Sequence, residues 1–217
     1  MSSSSFVVLF NSDLAHIVTS FQRGTHIDLK SFRTKLCPIY AGFCEPHLIR
    51  PRMLQTHAIL GPWFDQHGLT RLDKLLAVSP KMQQVVVQYA VYYGRLDIAQ
   101  HMHIKFDLIS FKENLLDFAA LNDQVEMLVY LQNIGHNGQT KRSLIWAAQY
   151  GHLATVQFLV RMDPTRYPWT DVIQIASKHG HHTIARFLER SKGRVVALKR
   201  PPSARTWYGA PASRAQK

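Results

Sequence analysis

The chain has 217 residues, of which 46% are hydrophobic, and it carries a formal net charge of +12 at pH 7. This length and hydrophobic content are sufficient for one well-buried core and argue against a wholly disordered protein. Because the sequence contains no run of about 18 apolar residues, it predicts no membrane span.

The start of the chain lacks the features of a secretory signal. Its compact apolar run, residues 6–10, has no basic residue ahead of it and no small-residue cleavage pattern behind it. Cys37 and Cys44 could close only one short loop, which is typical of reduced thiols in an intracellular protein. We therefore expect a cytoplasmic location, with the nucleus as the alternative.

Residues 1–60 are expected to form a helical cap on the repeats that follow them. The stretch DLAHIVTSF places Leu14, Ile17, Val18 and Phe21 on one apolar helix face. Three prolines then divide the segment into short pieces: Pro38, Pro46 and Pro51. An amphipathic start ahead of a repeat array also resembles the layout of F-box-like adaptors, which implies recruitment of a ubiquitin-ligase complex as the alternative.

Four similar segments follow one another between residues 84 and 190. Three of them centre on a glycine, Gly94, Gly151 or Gly180, and the fourth has Asp123 at the same place. These four anchor residues are 29, 28 and 29 positions apart. Self-similarity at a nearly constant period is typical of repeat architectures.

The positions around each anchor match in chemistry. A small residue stands four positions before it: Ala90, Ala119, Ala147 and Ala176. The positions four, five and eight beyond it are mostly apolar: Ile98, Ala99 and Met102; Met127, Leu128 and Leu131; Thr155, Val156 and Leu159; Ile184, Ala185 and Leu188. Each segment is therefore predicted to be a short helix, a turn with positive φ at the anchor, and a second helix that runs back. Asp123 fits this turn because Asp tolerates the left-handed region better than most residues.

The third segment, AAQYGHLATVQFLV, resembles the ankyrin repeat, whose second half runs Ala-Ala-x-x-Gly-His and continues into a helix rich in Val and Leu. The resemblance covers residues 84–190, about half the chain, and implies an all-α solenoid of stacked helix pairs. Two features differ from the family pattern: the Thr-Pro-Leu-His start is missing, and the period is about four residues shorter than the usual 33. We therefore expect divergent, short-period ankyrin-like repeats joined by plain loops.

A degenerate first unit is expected near residues 61–80. Gly68 is followed by Leu72 and Leu76 at the expected offsets, although Phe64 replaces the alanine. A terminal repeat is expected to be atypical because one of its faces lacks a neighbour. The predicted organisation is an N-terminal helical cap region over residues 1–60, ankyrin-like repeats over 61–189, and a basic disordered tail over 190–217.

The ankyrin resemblance also implies where a partner protein binds. In that arrangement, the residues one and two before each anchor point into a concave groove. They are Tyr92, Tyr93, Leu121, Asn122, Gln149, Tyr150, Lys178 and His179. Tyrosine-rich surfaces are typical of interfaces, and tyrosines that merely fill space between units are the alternative. The residues five before each anchor are instead expected to pack between the helices: Tyr89, Phe118, Trp146 and Ile175.

Basic residues are concentrated at the end of the chain. Residues 190–217 contain eight basic residues and no acidic one, whereas residues 61–189 contain twelve and eleven. The segment is also rich in proline, glycine and small residues, so we expect disorder. Its KRPPSARTWYG stretch combines arginines with Trp207 and Tyr208, which could contact phosphates and stack on bases. A solvated tail without a specific partner, a nuclear-import or anionic-partner segment, and nucleic-acid binding are the three alternatives.

The sequence contains no recognisable catalytic motif. A Gly-rich phosphate loop, a nucleophile elbow and a His-Glu-x-x-His pattern are all missing. The 12 histidines lack cysteine or carboxylate partners at ligand spacing on one face. His152 and His181 directly follow an anchor, where the ankyrin resemblance implies a structural role. We therefore expect a non-enzymatic, monomeric protein-binding module without a cofactor or metal.

Overall fold

The computed structural model describes residues 29–39, 45–111, 114–136, 138, 140–164 and 167–199. For residues 30, 31 and 194–199 it describes the backbone only. These residues form eleven α-helices and short 3-10 segments, and no strand occurs among them. The prediction of an all-α fold is confirmed.

The helices follow one another with short connections. In chain order they are α1 (Lys30–Lys35), α2 (Pro46–His67), α3 (Leu72–Leu76), α4 (Met82–Tyr92), α5 (Leu96–Phe106), α6 (Leu115–Leu121), α7 (Val125–Asn133), α8 (Lys141–Tyr150), α9 (Leu153–Met162), α10 (Trp169–Lys178) and α11 (His182–Lys199). From α4 onwards they pack in four pairs, α4 with α5 through α10 with α11. The first helices of successive pairs also pack against each other, so the pairs lie side by side in chain order.

Each pair turns at its anchor residue, as the sequence predicts. The four anchors have positive φ: Gly94 at 67°, Asp123 at 56°, Gly151 at 84° and Gly180 at 81°. The backbone N–H that follows each anchor donates to the carbonyl of the alanine four positions before it. These bonds join Arg95 to Ala90, Gln124 to Ala119, His152 to Ala147 and His181 to Ala176, at 2.8 to 3.0 Å. The turn therefore satisfies carbonyls that the end of the first helix leaves free.

The predicted apolar positions form the core. All four alanines before the anchors are fully buried. All twelve residues at the positions four, five and eight beyond the anchors are buried too, from Ile98 to Leu188. Tyr89, Phe118 and Trp146 are buried between helices as expected, whereas Ile175 is only half-buried. The apolar residues that recur with the helical period therefore lie on the helix faces that pack together.

Helix α2 differs from the expectation that prolines break residues 1–60 into short pieces. It runs without interruption for 22 residues, with Pro51 and Pro62 inside it. Each internal proline removes a backbone hydrogen bond and costs about 3 kcal/mol in an isolated helix. Burial of large side chains offsets this cost, since each contributes about 1.5 to 3 kcal/mol. The buried set is Ile49, Met53, Leu60, Trp63 and Phe64.

The described part of the N-terminal region belongs to the same core as the pairs. Leu29, Phe32, Leu36 and Ile39 are buried in one cluster with α2 and the first two pairs. Gln88 on α4 fixes this segment, because its side chain accepts from the Ile39 N–H and donates to the Ile39 carbonyl, both at 2.8 Å. The predicted helix over DLAHIVTSF, as well as Cys44, lies outside the described residues.

The region of the predicted degenerate unit contains a turn but no full pair. Gly68 ends α2 with φ of 54°, and Leu72 in the following helix is buried. That helix, α3, has only five residues. Leu75, rather than the predicted Leu76, is its second buried leucine. A helix this short forms less than two turns, so it serves as a connection between α2 and α4.

The end of the chain differs from the expectation in its first ten residues. Helix α11 continues to Lys199, so residues 190–199 are helical where the sequence predicted disorder. Gly193 lies inside this helix, and the cost of one internal glycine is only about 1 kcal/mol. Residues 200–217, including Trp207 and Tyr208, lie outside the described residues.

Candidate functional site

The eight residues predicted to line a partner groove fall into three groups. Tyr92 and Leu121 are buried, at 4% and 0% exposure. Lys178 and His179 are exposed. The other four are partly buried: Tyr93, Asn122, Gln149 and Tyr150. Buried side chains offer a partner no contact area, so the assignment of Tyr92 and Leu121 as surface residues is corrected.

Helix α2 lies across the tyrosine-bearing end of the first pair. The His57 ring stacks on Tyr93 with ring centroids 4.5 Å apart. Two turns further along, Phe64 stacks on Tyr89 with centroids 5.8 Å apart. His57 Nδ1 also lies 3.2 Å from the Tyr89 hydroxyl, within hydrogen-bond distance. Helix α2 therefore covers Tyr93, one of the residues predicted to line a partner groove.

The N-terminal end of α2 reaches the third pair. The Arg50 guanidinium lies over the Tyr150 ring, 4.5 Å from its centroid. Arg50 and Phe64 are about 21 Å apart along an α-helix, so α2 spans from α8 back to α4. A cation over a tyrosine face is attracted by the ring quadrupole, which is worth about 0.5 to 2 kcal/mol.

We define the α2 clamp as the contacts of Arg50, His57 and Phe64 with Tyr89, Tyr93 and Tyr150. The three α2 residues are spaced by seven positions, which places them on one helix face. This spacing is visible in the sequence and indicates one helix face, although it does not indicate which surface that face covers. The interpretation of residues 1–60 as proline-divided pieces obscured it.

Burial within the clamp alters the chemistry of the tyrosines. Burial, followed by the neighbouring Tyr92 and Tyr89, raises the pKa of Tyr93 to about 12. Its hydroxyl is buried and has no hydrogen-bond partner among the described residues. Burial also raises the pKa of Tyr92, against the opposing effect of Arg50. These phenols therefore stay neutral at physiological pH and act as packing groups.

A row of hydrogen bonds joins the turn of each pair to the pair before it. His181 Nε2 donates to the Gln149 carbonyl at 3.0 Å, and His152 Nε2 donates to the Leu121 carbonyl at 3.2 Å. Asn122, which precedes its anchor rather than following it, donates from Nδ2 to the equivalent carbonyl, that of Tyr92, at 2.9 Å. Each acceptor lies two positions before an anchor. His152 and His181 therefore each bind the backbone of the preceding turn.

Gly151 leaves space for this row of contacts. A Cβ atom at Gly151 would lie 2.7 Å from the His181 ring, which is closer than any normal contact. At Gly180, no atom lies within 4 Å of the corresponding position. Glycine at position 151 is therefore required both by its positive φ and by the approach of the next turn.

The loop between the second and third pairs is fixed by a buried carboxylate. Asp117, at 2% exposure, accepts from the Thr140 backbone N–H at 3.0 Å and from the Thr140 hydroxyl at 2.6 Å. The Ser143 hydroxyl donates to it as well. Burial raises the pKa of Asp117, and the hydroxyl bonds oppose that shift. The three hydrogen bonds from Thr140 and Ser143 hold the start of α8 against α6, which is a structural role for Asp117.

The described residues contain neither a candidate metal-binding cluster nor a candidate membrane-spanning helix. Among them, no group of three or more His, Cys, Asp or Glu side chains is placed to hold a metal ion. In the same part of the chain, no helix combines the length and the apolar character needed to cross a bilayer. The features that the structure does bring together are the α2 clamp, the row of turn contacts and an exposed cleft near the C-terminal end.

Comparisons with known proteins assign no family to this chain. No family model matches the sequence, no curated protein matches it, and no solved structure matches it. The resemblance to ankyrin repeats is therefore an expectation from the residues of the four segments alone.

Proposed function

We propose that the protein is a non-enzymatic, ankyrin-like repeat module that binds another protein. The observation that carries this proposal is the row of hydrogen bonds from His181, His152 and Asn122 to the preceding turns. The three acceptor carbonyls occupy equivalent positions, two residues before an anchor, and such contacts between neighbouring units are expected of a stacked repeat array. Arrays of this kind offer extended surfaces and bind proteins, whereas catalysis needs a confined pocket.

The surface available for binding lies beyond the reach of α2. The clamp covers the tyrosine positions of the first and third pairs, so the exposed end of the predicted groove is at the fourth pair. Lys178 and His179 are exposed there. We therefore place partner contact at this end of the turn row.

The test is affinity capture from a lysate at physiological salt with the full chain. A Lys178→Ala and His179→Ala double variant should lose the captured protein, because both side chains are exposed at the open end of the groove. The matched control is Lys74→Ala with His47→Ala, which changes exposed residues of the same types elsewhere. Equal capture by all three proteins would exclude the groove at the fourth pair.

The N-terminal region supports the cap role over the ligase-adaptor role. Residues 29–39 share a core with the first pairs, and Ile39 is bonded to Gln88 through both its N–H and its carbonyl. An adaptor segment that recruits a separate complex would be expected to retain its own core. We therefore assign this region to stabilisation of the array.

Nucleic-acid or anionic-partner binding through the C-terminal segment is the second candidate, and the charge of residues 190–217 favours it. Binding carried by phosphate contacts should weaken steeply between about 50 and 200 mM salt. Because α11 extends to Lys199, the informative truncation ends there and leaves the helix intact. Salt-sensitive binding of a labelled oligonucleotide that disappears on this truncation would favour the tail. Binding that persists would exclude it.

A further inference from the structure

An open cleft lies between α9 and α11, the second helices of the last two pairs. Its volume is about 360 Å³, close to the lower end of sites that accept small ligands or a few side chains. It is lined by Leu153, Gln157, Thr183, Arg186, Phe187 and Arg190. None of these residues belongs to the α2 clamp or to the row of turn contacts.

The cleft is positively charged and has an apolar floor. Arg186 and Arg190 stand one turn apart on α11 and are both exposed, while Leu153 on α9 and Phe187 on α11 are partly buried and line the same cleft. Neither guanidinium forms an ion pair with a carboxylate among the described residues, and no carboxylate lines the cleft. Unpaired arginines beside an apolar surface are suited to bind carboxylates of a partner.

The arginine pair is specific to the last unit. The residues six and ten beyond each anchor occupy equivalent positions on the second helices. In chain order they are Gln100 and Ile104, Val129 and Asn133, Gln157 and Arg161, and Arg186 and Arg190. A repeating structural requirement would put similar residues at all four places. The concentration of charge on α11 is therefore a property of this surface and not of the fold.

We propose that this cleft binds an acidic, amphipathic peptide segment of a partner protein. Apolar side chains of the segment pack on Leu153 and Phe187, and its carboxylates accept hydrogen bonds from Arg186 and Arg190. The proposal deepens the protein-binding function and rests on it. It uses a surface other than Lys178 and His179, so the two assignments can fail separately.

A peptide fits the cleft better than a nucleic acid does. Single-stranded nucleic acids are held by successive aromatic platforms along a basic groove, and Phe187 is the single aromatic residue among the lining residues. Leu153 provides aliphatic contact that suits an apolar side chain. The polar groups of Gln157 and Thr183 can pair with the peptide backbone, which presents both donors and acceptors.

The test is fluorescence anisotropy with the full chain and a labelled peptide of repeated Glu-Glu-Leu triplets. Arg186→Gln with Arg190→Gln should weaken binding by about tenfold or more, since charge-assisted bonds to two carboxylates are lost. The Arg186→Lys, Arg190→Lys variant should bind the peptide with an affinity between those of the unaltered protein and the glutamine variant, because lysine keeps the charge without the forked geometry. Arg52→Gln with Lys74→Gln removes the same charge from other exposed positions and should leave affinity unchanged.

Three results would overturn the proposal. They are no binding of the peptide by the unaltered protein, equal affinity in all variants, and equal binding of a peptide in which Gln replaces every Glu. A labelled oligo-dT strand that binds more tightly than the peptide, and is lost in the glutamine variant, would assign the cleft to nucleic acid instead. Unchanged circular dichroism and thermal unfolding of the glutamine variant verify that its fold is intact, which is expected because both arginines are exposed.

Discussion

Gly151 and Gly180 share a backbone conformation but differ in surroundings. Both have φ above 80°, which costs an alanine about 1 to 2 kcal/mol. At position 151 the new methyl group would also meet the His181 ring, and such crowding costs about 1 to 3 kcal/mol more. Gly151→Ala should therefore lower the free energy of unfolding by clearly more than Gly180→Ala, as measured by denaturant titration.

The control removes the His181 ring. In a His181→Ala background, Gly151→Ala should cost about as much as Gly180→Ala, because only the φ penalty remains. If Gly151→Ala and Gly180→Ala lower the free energy of unfolding equally in the otherwise unaltered protein, the His181 ring does not lie as close to Gly151 as described here.

His136 predicts a dependence of stability on pH. It is 4% exposed, and burial lowers its pKa from the ordinary value of 6.5. Its Nδ1 accepts from the Gly138 N–H at 3.0 Å, which only the unprotonated nitrogen can do. Below pH 6.5 the unfolded chain takes up a proton that the folded protein resists, so stability is lost as pH falls through this range towards the lowered pKa.

The variant that isolates this effect is His136→Asn, whose amide oxygen can replace Nδ1 as an acceptor. Between about pH 7 and pH 5, the unaltered protein should lose more unfolding free energy than the variant. Denaturant titrations at the two pH values measure both losses. Parallel losses would show that His136 is not held neutral by burial.

Among the elements, the helix pairs could be predicted from the sequence and the position of α2 could not. The pairs depend on local features, such as a positive-φ residue at Asp123 and an alanine four positions before it. The clamp depends on contacts between residues far apart in sequence, such as His57 with Tyr93 and Arg50 with Tyr150. A repeat pattern describes how each unit contacts its neighbours. It contains no information on which other helix of the chain packs across the units.

Loss of the clamp tyrosines should release α2 from the array. Tyr93→Ala with Tyr150→Ala removes the rings that contact His57 and Arg50, so backbone exchange in α2 should accelerate. Hydrogen exchange with mass spectrometry of residues 46–67 measures the change. Tyr130→Ala is the control, since that ring contacts His103 on α5 and should leave α2 exchange unaltered. No change in the double variant would mean that the tyrosines do not hold α2.

At the scale of the whole molecule, two adjoining cores run from the N-terminal region to α11. One contains residues from Leu29 to Trp146, and the other contains residues from Ala120 to Leu188. Ile145 and Phe158 pack against both. The described chain is therefore connected by side-chain packing throughout, which fits a cap that covers the first pair and a last pair that presents its surfaces to solvent.

The distribution of charge over the whole molecule was predicted correctly only in part. Residues 190–217 contain eight basic residues, and composition alone assigned them all to a disordered tail. Four of them, Arg190, Lys192, Arg194 and Lys199, belong to α11. The sequence could not indicate this because Gly193 and the prolines beyond it weaken the helical pattern, whereas packing of Leu188 and Ala185 anchors the helix.

Helix α2 covers tyrosines of the first and third pairs and packs in one core with α4. Hydrogen exchange of the unaltered full chain tests this most directly. Residues 46–67 should exchange as slowly as residues 82–92 of α4, because both helices lie in one core. Fast exchange of α2 while α4 through α9 stay protected would contradict the account, since the tyrosine surface would then be open to a partner.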